Sequence, residues 1–285
     1  MSAIQIGFFV AILIGTIFRE VLQRPIAKKF PPQLFPAFCG LFLMLICLIS
    51  LPWTAGLLSA PETPLSEQPM TILVSALKAP IIWLLLKLGI ELRAKSASSG
   101  IYVMPMGLAF VAITNFVLFG ATLTWQQWFS VGGLGLLGLG FACAGHLSEL
   151  PRRLKLVFIG SVALCPLLGS IDHFVITRSN WFCHLLCYSV TLAMLSPLMM
   201  PSSHRLRDLL TEKSTLAAGS VFAIVEMIII GSMVRYLPVS LVLVSVTMAV
   251  PIVMFIASWY WQESTPGRQL GFGLASFIIG LGVFF

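Results

Sequence analysis

The chain has 285 residues, of which 58% are hydrophobic and 9% charged, and its mean hydropathy is +1.00. No water-soluble fold hides that much apolar side chain, so the composition excludes a soluble globular domain and predicts an all-α polytopic membrane protein. The net charge of +7 does not mark a nucleic-acid binder, because the basic residues lie in short loops between apolar runs, where they set orientation.

Taken in order, the apolar runs predict ten spans at about 4–22, 34–54, 70–91, 99–119, 128–147, 156–176, 181–200, 216–234, 238–261 and 269–285. Most are long enough, at about 1.5 Å of rise per residue, to cross a hydrocarbon layer of about 30 Å. The first run lacks a basic leader and a small-x-small cleavage site, so it is expected to be a retained span and not a signal peptide. Cys39, Cys47, Cys143, Cys165, Cys183 and Cys187 all fall in apolar runs and read as small buried hydrophobes. Cys183 and Cys187 share a helix face, but His184 points about 100° away from Cys183, so no metal site is expected there. There is no GxSxG, HExxH, Walker loop or paired-carboxylate motif, so neither an enzyme nor a cofactor is predicted.

A repeat divides the chain. Sliding Leu92–Gly140 by 142 places Arg93 on Arg235, Met106 on Met248, Gln127 on Gln269 and Gly140 on Gly282. At an offset of 154, Gly15-Thr16-Ile17, Val21 and Arg24 recur as Gly169-Ser170-Ile171, Val175 and Arg178. Two halves follow, 1–147 and 148–285, with five spans each. An odd number of spans per half gives the halves opposite orientation, an inverted repeat with a pseudo-twofold axis in the membrane plane. The odd-numbered loops hold twelve Lys and Arg residues and the even-numbered ones two, Arg178 and Arg235. The positive-inside rule therefore puts both termini outside.

Ionisable residues inside spans cost roughly 2.5 to 3.5 kcal/mol each at a helix centre unless they face protein or water. Glu226, mid-span, is read as a partner for a substrate amine or a proton-coupling carboxylate, with a structural ion pair as the alternative. Lys78 lies deep in the third span. Lys87, nine residues on, points to the opposite side and could snorkel, stack on Trp83 or pair with Glu91. Trp83 is either cavity wall or lipid-facing. Arg19 and Glu20 correspond at offset 154 to His173 and Phe174, with Asp172 just before. These predict a charged cavity lined by Arg19, Glu20, Asp172 and His173, the alternative being four solvated residues at the interface. Tyr102 and Asn115 in the fourth span are candidates for the cavity or for helix–helix hydrogen bonds.

The stretch Pro251–Gly282, a proline-containing span followed by Glu263, Thr265, Gln269, Gly271 and a glycine-rich closing helix, resembles the EamA-type members of the drug/metabolite transporter superfamily. The resemblance implies a secondary transporter working by alternating access, with a central cavity lined by helices of both halves. The chain departs from the family in two respects. The first-half elbow has Gly120-Ala121 where the second has Gln262-Glu263, and family members usually keep both termini cytoplasmic. The function expected is export of a small polar or zwitterionic metabolite, amino-acid-like, across a bacterial inner membrane by a monomer or homodimer, driven by a proton or a substrate gradient. A membrane enzyme acting on a lipid-linked substrate, gripped by the basic loops at 151–155 and 204–207, is the alternative from another class. A scaffold subunit without flux is a third.

Overall fold

The structure, a computed structural model, describes residues 2–58, 68–95, 103–120, 122–141, 150–178, 181–198, 211, 213–233, 237, 239–261 and 267–282. It is all helical over these residues: α1 Ala3–Lys29, α2 Leu34–Leu58, α3 Gln68–Lys95, α4 Val103–Phe119, α5 Trp125–Phe141, α6 Arg152–Ile176, α7 Trp181–Leu198, α8 Lys213–Met233, α9 Val239–Met248, α10 Val250–Tyr260 and α11 Gly267–Leu281. Six stretches are long and apolar enough to cross a membrane, namely α1, Leu34–Pro52 of α2, Pro69–Lys95 of α3, α6, Lys213–Gly231 of α8 and Leu241–Tyr260 across α9 and α10. Met106–Phe119, Trp181–Leu195 and Gly271–Leu281 are shorter apolar helices. Large apolar side chains such as Val117, Leu136, Met194, Phe255 and Ile278 are exposed around the outside. Water would penalise such a surface and hydrocarbon would not, so the molecule is compatible with a multi-pass membrane protein.

Local sequence sets the helix ends. Ser2 and Gln5 form a reciprocal capping box, with Ser2 Oγ accepting from the Gln5 amide at 3.3 Å and Gln5 Oε1 accepting from the Ser2 amide at 2.8 Å. Thr124 and Gln127 repeat this arrangement at the start of α5. Gly120, at φ 64°, closes α4 in the left-handed region, where a Cβ would be strained. The ninth predicted span is two helices and not one. Pro251 has no amide hydrogen to offer the carbonyl of Thr247, and the chain makes a turn at Ala249 between α9 and α10.

Two helices also run further than their apolar runs suggested. Helix α1 continues to Lys29 and α3 to Lys95, which draws Arg24 and Arg93 out of the loops and into the protein, both buried. They belong to side-chain packing and drop out of the loop charge that argued orientation.

Contacts fix relative helix directions. Helix α2 runs antiparallel to α7, with Gly40 against Leu192 and Ala193 and Cys47 near Ser189. Helix α3 is antiparallel to α6, through Leu88 on Gly160 and Glu91 near Arg153, and parallel to α7, through Ser75 on His184 and Lys78 over Tyr188. Helix α7 is antiparallel to α8, with Tyr188 on Glu226 and Trp181 on Gly231. Helix α4 is parallel to α6, with Gly107 on Cys165 and Val111 on Gly169. The pairs α1 with α8 and α1 with α9 complete the inner layer, and α5 packs on α11 at one flank.

Candidate functional site

Four helices place polar side chains on one cavity of about 160 Å³. On α3, Lys78, Ile82, Leu86, Gly89 and Arg93 line it at helical spacing. Helix α6 gives Ser161, Cys165, Gly169 and Asp172, α8 gives Phe222, Glu226, Ile229 and Met233, and α1 gives Arg19 and Gln23. Val242, Leu243 and Val246 of α9 close the remaining side. The lining is mostly apolar with charge at two places, the usual build of a small-molecule site.

At the first place, Lys78 is 1% exposed and holds two carboxylates from different helices. Its Nζ lies 2.7 Å from Asp172 Oδ1 and 3.5 Å from Glu226 Oε1. The Tyr188 hydroxyl donates to Glu226 Oε1 at 2.8 Å, and the Lys78 ammonium sits 4.2 Å from the Tyr188 ring centroid, within cation–π range. Behind Asp172, His184 Nε2 lies 2.8 Å from Oδ1, while its Nδ1 lies 2.8 Å from Ser75 Oγ. One ammonium facing two carboxylates leaves this pole one negative charge in excess when His184 is neutral.

At the second place, Arg93 grips Glu20 as a fork, donating from Nε to Oε2 at 2.6 Å and from Nη2 to Oε1 at 2.7 Å. Arg24 Nη1 donates to the Arg93 backbone carbonyl. Arg19, by contrast, reaches Glu20 only at 3.5 Å, which leaves most of its five donors uncommitted among the described residues. Three guanidiniums, Arg19, Arg24 and Arg93, with the one carboxylate of Glu20 make this pole net positive among the described residues. Gly15 of α1 is so near α8 that an added Cβ would stand 2.5 Å from Val225 Cγ2, and Arg19, one turn on along α1, lines the same cavity as Glu226.

The predicted residues thus divide. Lys78, Asp172 and Glu226 meet directly, and Arg19 and Glu20 meet with Arg93, all of them buried. His173 does not join them. One residue past Asp172, it turns to the other side of α6, where its ring packs on Phe119 at 4.6 Å. Trp83 is buried but does not line the cavity, and its outer face carries the Lys87 ammonium 5.6 Å from the ring centroid. Glu91 pairs with Arg153 at 3.5 Å and not with Lys87. Asn115 is buried in α4 away from the cavity, its Oδ1 without a hydrogen bond. Tyr102 lies outside the described residues. Arg93 and His184 entered the sequence reading only as a repeat match and as a rejected metal ligand, and Tyr188 and Ser75 did not enter it. A histidine and a tyrosine one turn apart in the apolar run of α7 were the signal for that helix.

No protein-family model and no curated protein matches the chain. A solved crystal structure of a protein has a similar fold, with a TM-score of 0.63 at 13% identity, covering 99% of this chain and 98% of that one. The likeness extends over both molecules and is one of fold.

Proposed function

We propose that the chain is a secondary transporter that moves a small zwitterionic metabolite, amino-acid-like in charge and size, by alternating access. The observation that carries this reading is one cavity lined both by Asp172 and Glu226, two carboxylates that share the single Lys78 ammonium, and by Arg19, most of whose donors are uncommitted among the described residues. A substrate ammonium would compete with Lys78 for the two carboxylates, and a substrate acid group would take the free donors of Arg19. Charges this costly to bury are retained in membrane helices mainly where they meet ligand or ions. A cavity of about 160 Å³ falls below the range of about 300 Å³ upward typical of drug-sized ligands, which favours a metabolite of a few heavy atoms over a bulky drug.

The helix pairings support a ten-span chain built of two inverted five-span halves, with α9 and α10 as one broken span. Exchanging the halves maps α1 with α8 onto α6 with α3, α3 with α7 onto α8 with α2, and α4 with α6 onto α9 with α1, and each of these pairs is in contact. Helix α2 pairs with its own counterpart α7, antiparallel. Such symmetry permits two exchanged conformations of one cavity, and the turn at Ala249 offers a place for α9 to move against α10. Together with the Pro251–Gly282 pattern, this favours kinship with EamA-type drug/metabolite transporters, in a cytoplasmic membrane.

Flux of labelled neutral amino acids into vesicles holding the purified protein is the test. Exchange by the wild-type chain should fall at least about tenfold in Glu226→Gln, which keeps the shape and the Tyr188 contact but not the charge. Equal flux in both proteins would remove Glu226 from the mechanism. Absence of flux for every zwitterion offered, with turnover of a lipid-linked substrate instead, would replace transport with enzymatic chemistry.

A further inference from the structure

His184 stands behind the cavity and is 1% exposed, yet both of its ring nitrogens have partners. Ser75 has a single hydroxyl proton, and its oxygen lies 2.6 Å from the carbonyl oxygen of Thr71, which can only accept. That proton is therefore used on Thr71, and His184 Nδ1, 2.8 Å from Ser75 Oγ, must donate. At the other nitrogen, Asp172 Oδ1 accepts from Lys78 at 2.7 Å and, as a carboxylate oxygen, brings no proton to the 2.8 Å contact with Nε2. A neutral ring protonated only at Nδ1 would set lone pair against lone pair at Asp172. A neutral ring protonated only at Nε2 would require two protons of Ser75. No neutral histidine beside an ionised Asp172 satisfies all three contacts.

We infer that the His184–Asp172 pair stores one proton beyond a neutral imidazole and a carboxylate, and that substrate ammonium and this proton are alternative occupants of the same electrostatic vacancy. The charge balance supports the exchange. Lys78 faces Asp172 and Glu226, leaving one negative charge uncompensated, and the stored proton compensates it when the site holds no ammonium. The groups around the ring are Lys78 and Ser75 from α3, Asp172 from α6, Glu226 from α8 and Tyr188 from α7 itself, ring centroids 5.6 Å apart. Helix α2, which lies along α7, has no charged residue. When an ammonium reaches Asp172 and Glu226, the Nε2 proton leaves through Asp172, which borders the cavity, to water. Substrate entering and proton leaving is the stoichiometry of an antiporter.

The coupling role rests on the transport reading, whereas the proton count does not, and the two are separable by experiment. Nitrogen-15 histidine spectra of the wild-type chain in lipid at near-neutral pH, with His184 assigned by the signal lost in His184→Gln, should show an imidazolium protonated at both nitrogens. Methylammonium, the probe for the ammonium subsite, should convert it to the neutral ring. Ser75→Ala, which removes the need for Nδ1 to donate, should lower the ratio of imidazolium to neutral ring about tenfold at a given pH. A neutral His184 signal in the wild-type chain across the near-neutral range overturns the proposal whether or not flux is found. Given flux, a pH difference of about one across the membrane should drive about tenfold accumulation of substrate by wild type and, relative to each protein's own rate of substrate counterflow, none by His184→Gln. Equal proton-driven accumulation in the two overturns the coupling role.

Discussion

Lys78→Met tests the electrostatic account of the site most directly. Methionine matches the length of the lysine stem but leaves Asp172 and Glu226 facing one another with nothing between. Their oxygens lie 2.7 Å and 3.5 Å from the same Nζ, so they stand within roughly 6 Å of each other, a repulsion of about 3 kcal/mol at an effective dielectric of about 20. Removing one member of a buried ion pair costs about 3 to 5 kcal/mol, and the two estimates agree in size. In lipid nanodiscs, Lys78→Met should lose that much unfolding free energy in a denaturant titration. Lys78→Met with Glu226→Gln should recover about 1 to 3 kcal/mol of the loss. A Lys78→Met protein as stable as wild type, or a double variant whose loss equals the sum of the single losses, would refute the idea that Lys78 holds these two helices by charge.

Two further substitutions probe packing and the second pole. Gly15→Val should cost about 1 to 3 kcal/mol, because its side chain would meet Val225 Cγ2; thermal unfolding should show partial rescue by Val225→Ala, and no rescue would dissociate Gly15 from the α1–α8 contact. Arg93→Lys keeps the charge but cannot form the two-point fork on Glu20, so it should cost about 1 to 2 kcal/mol. It should also weaken substrate binding as Glu20 turns to Arg19, a change that a binding titration would measure.

What the sequence reveals follows from the physics of each residue. A mid-span glutamate or lysine is conspicuous because the bilayer penalises it, and so Glu226, Lys78 and Asp172 could be selected without knowing their partners. Partners were not legible, since Lys78 meets residues far along the chain and only helix directions bring them together. Arg93 and Arg24 escaped notice because hydropathy ends a span where the apolar run ends, whereas helices α1 and α3 continue in regular hydrogen bonding and fold their charges inward. His173 was misplaced for the opposite reason: adjacency in sequence to Asp172 turned it by about 100° on the helix. His184 was judged only as a metal ligand beside Cys183 and Cys187, when its neighbour of consequence is an acid on the preceding helix. The break at Ala249 was readable in Pro251, yet the unbroken run of apolar residues around it concealed the turn.

The proposed exchange has an electrical consequence. A zwitterion adds no net charge to the carrier, whereas the stored proton adds one, so the proton-loaded leg feels about 2.3 kcal/mol more for each 100 mV than the zwitterion-loaded leg. An inside-negative membrane would then favour inward movement of the proton-loaded leg, so that the potential, and not the pH difference alone, would power expulsion of the metabolite.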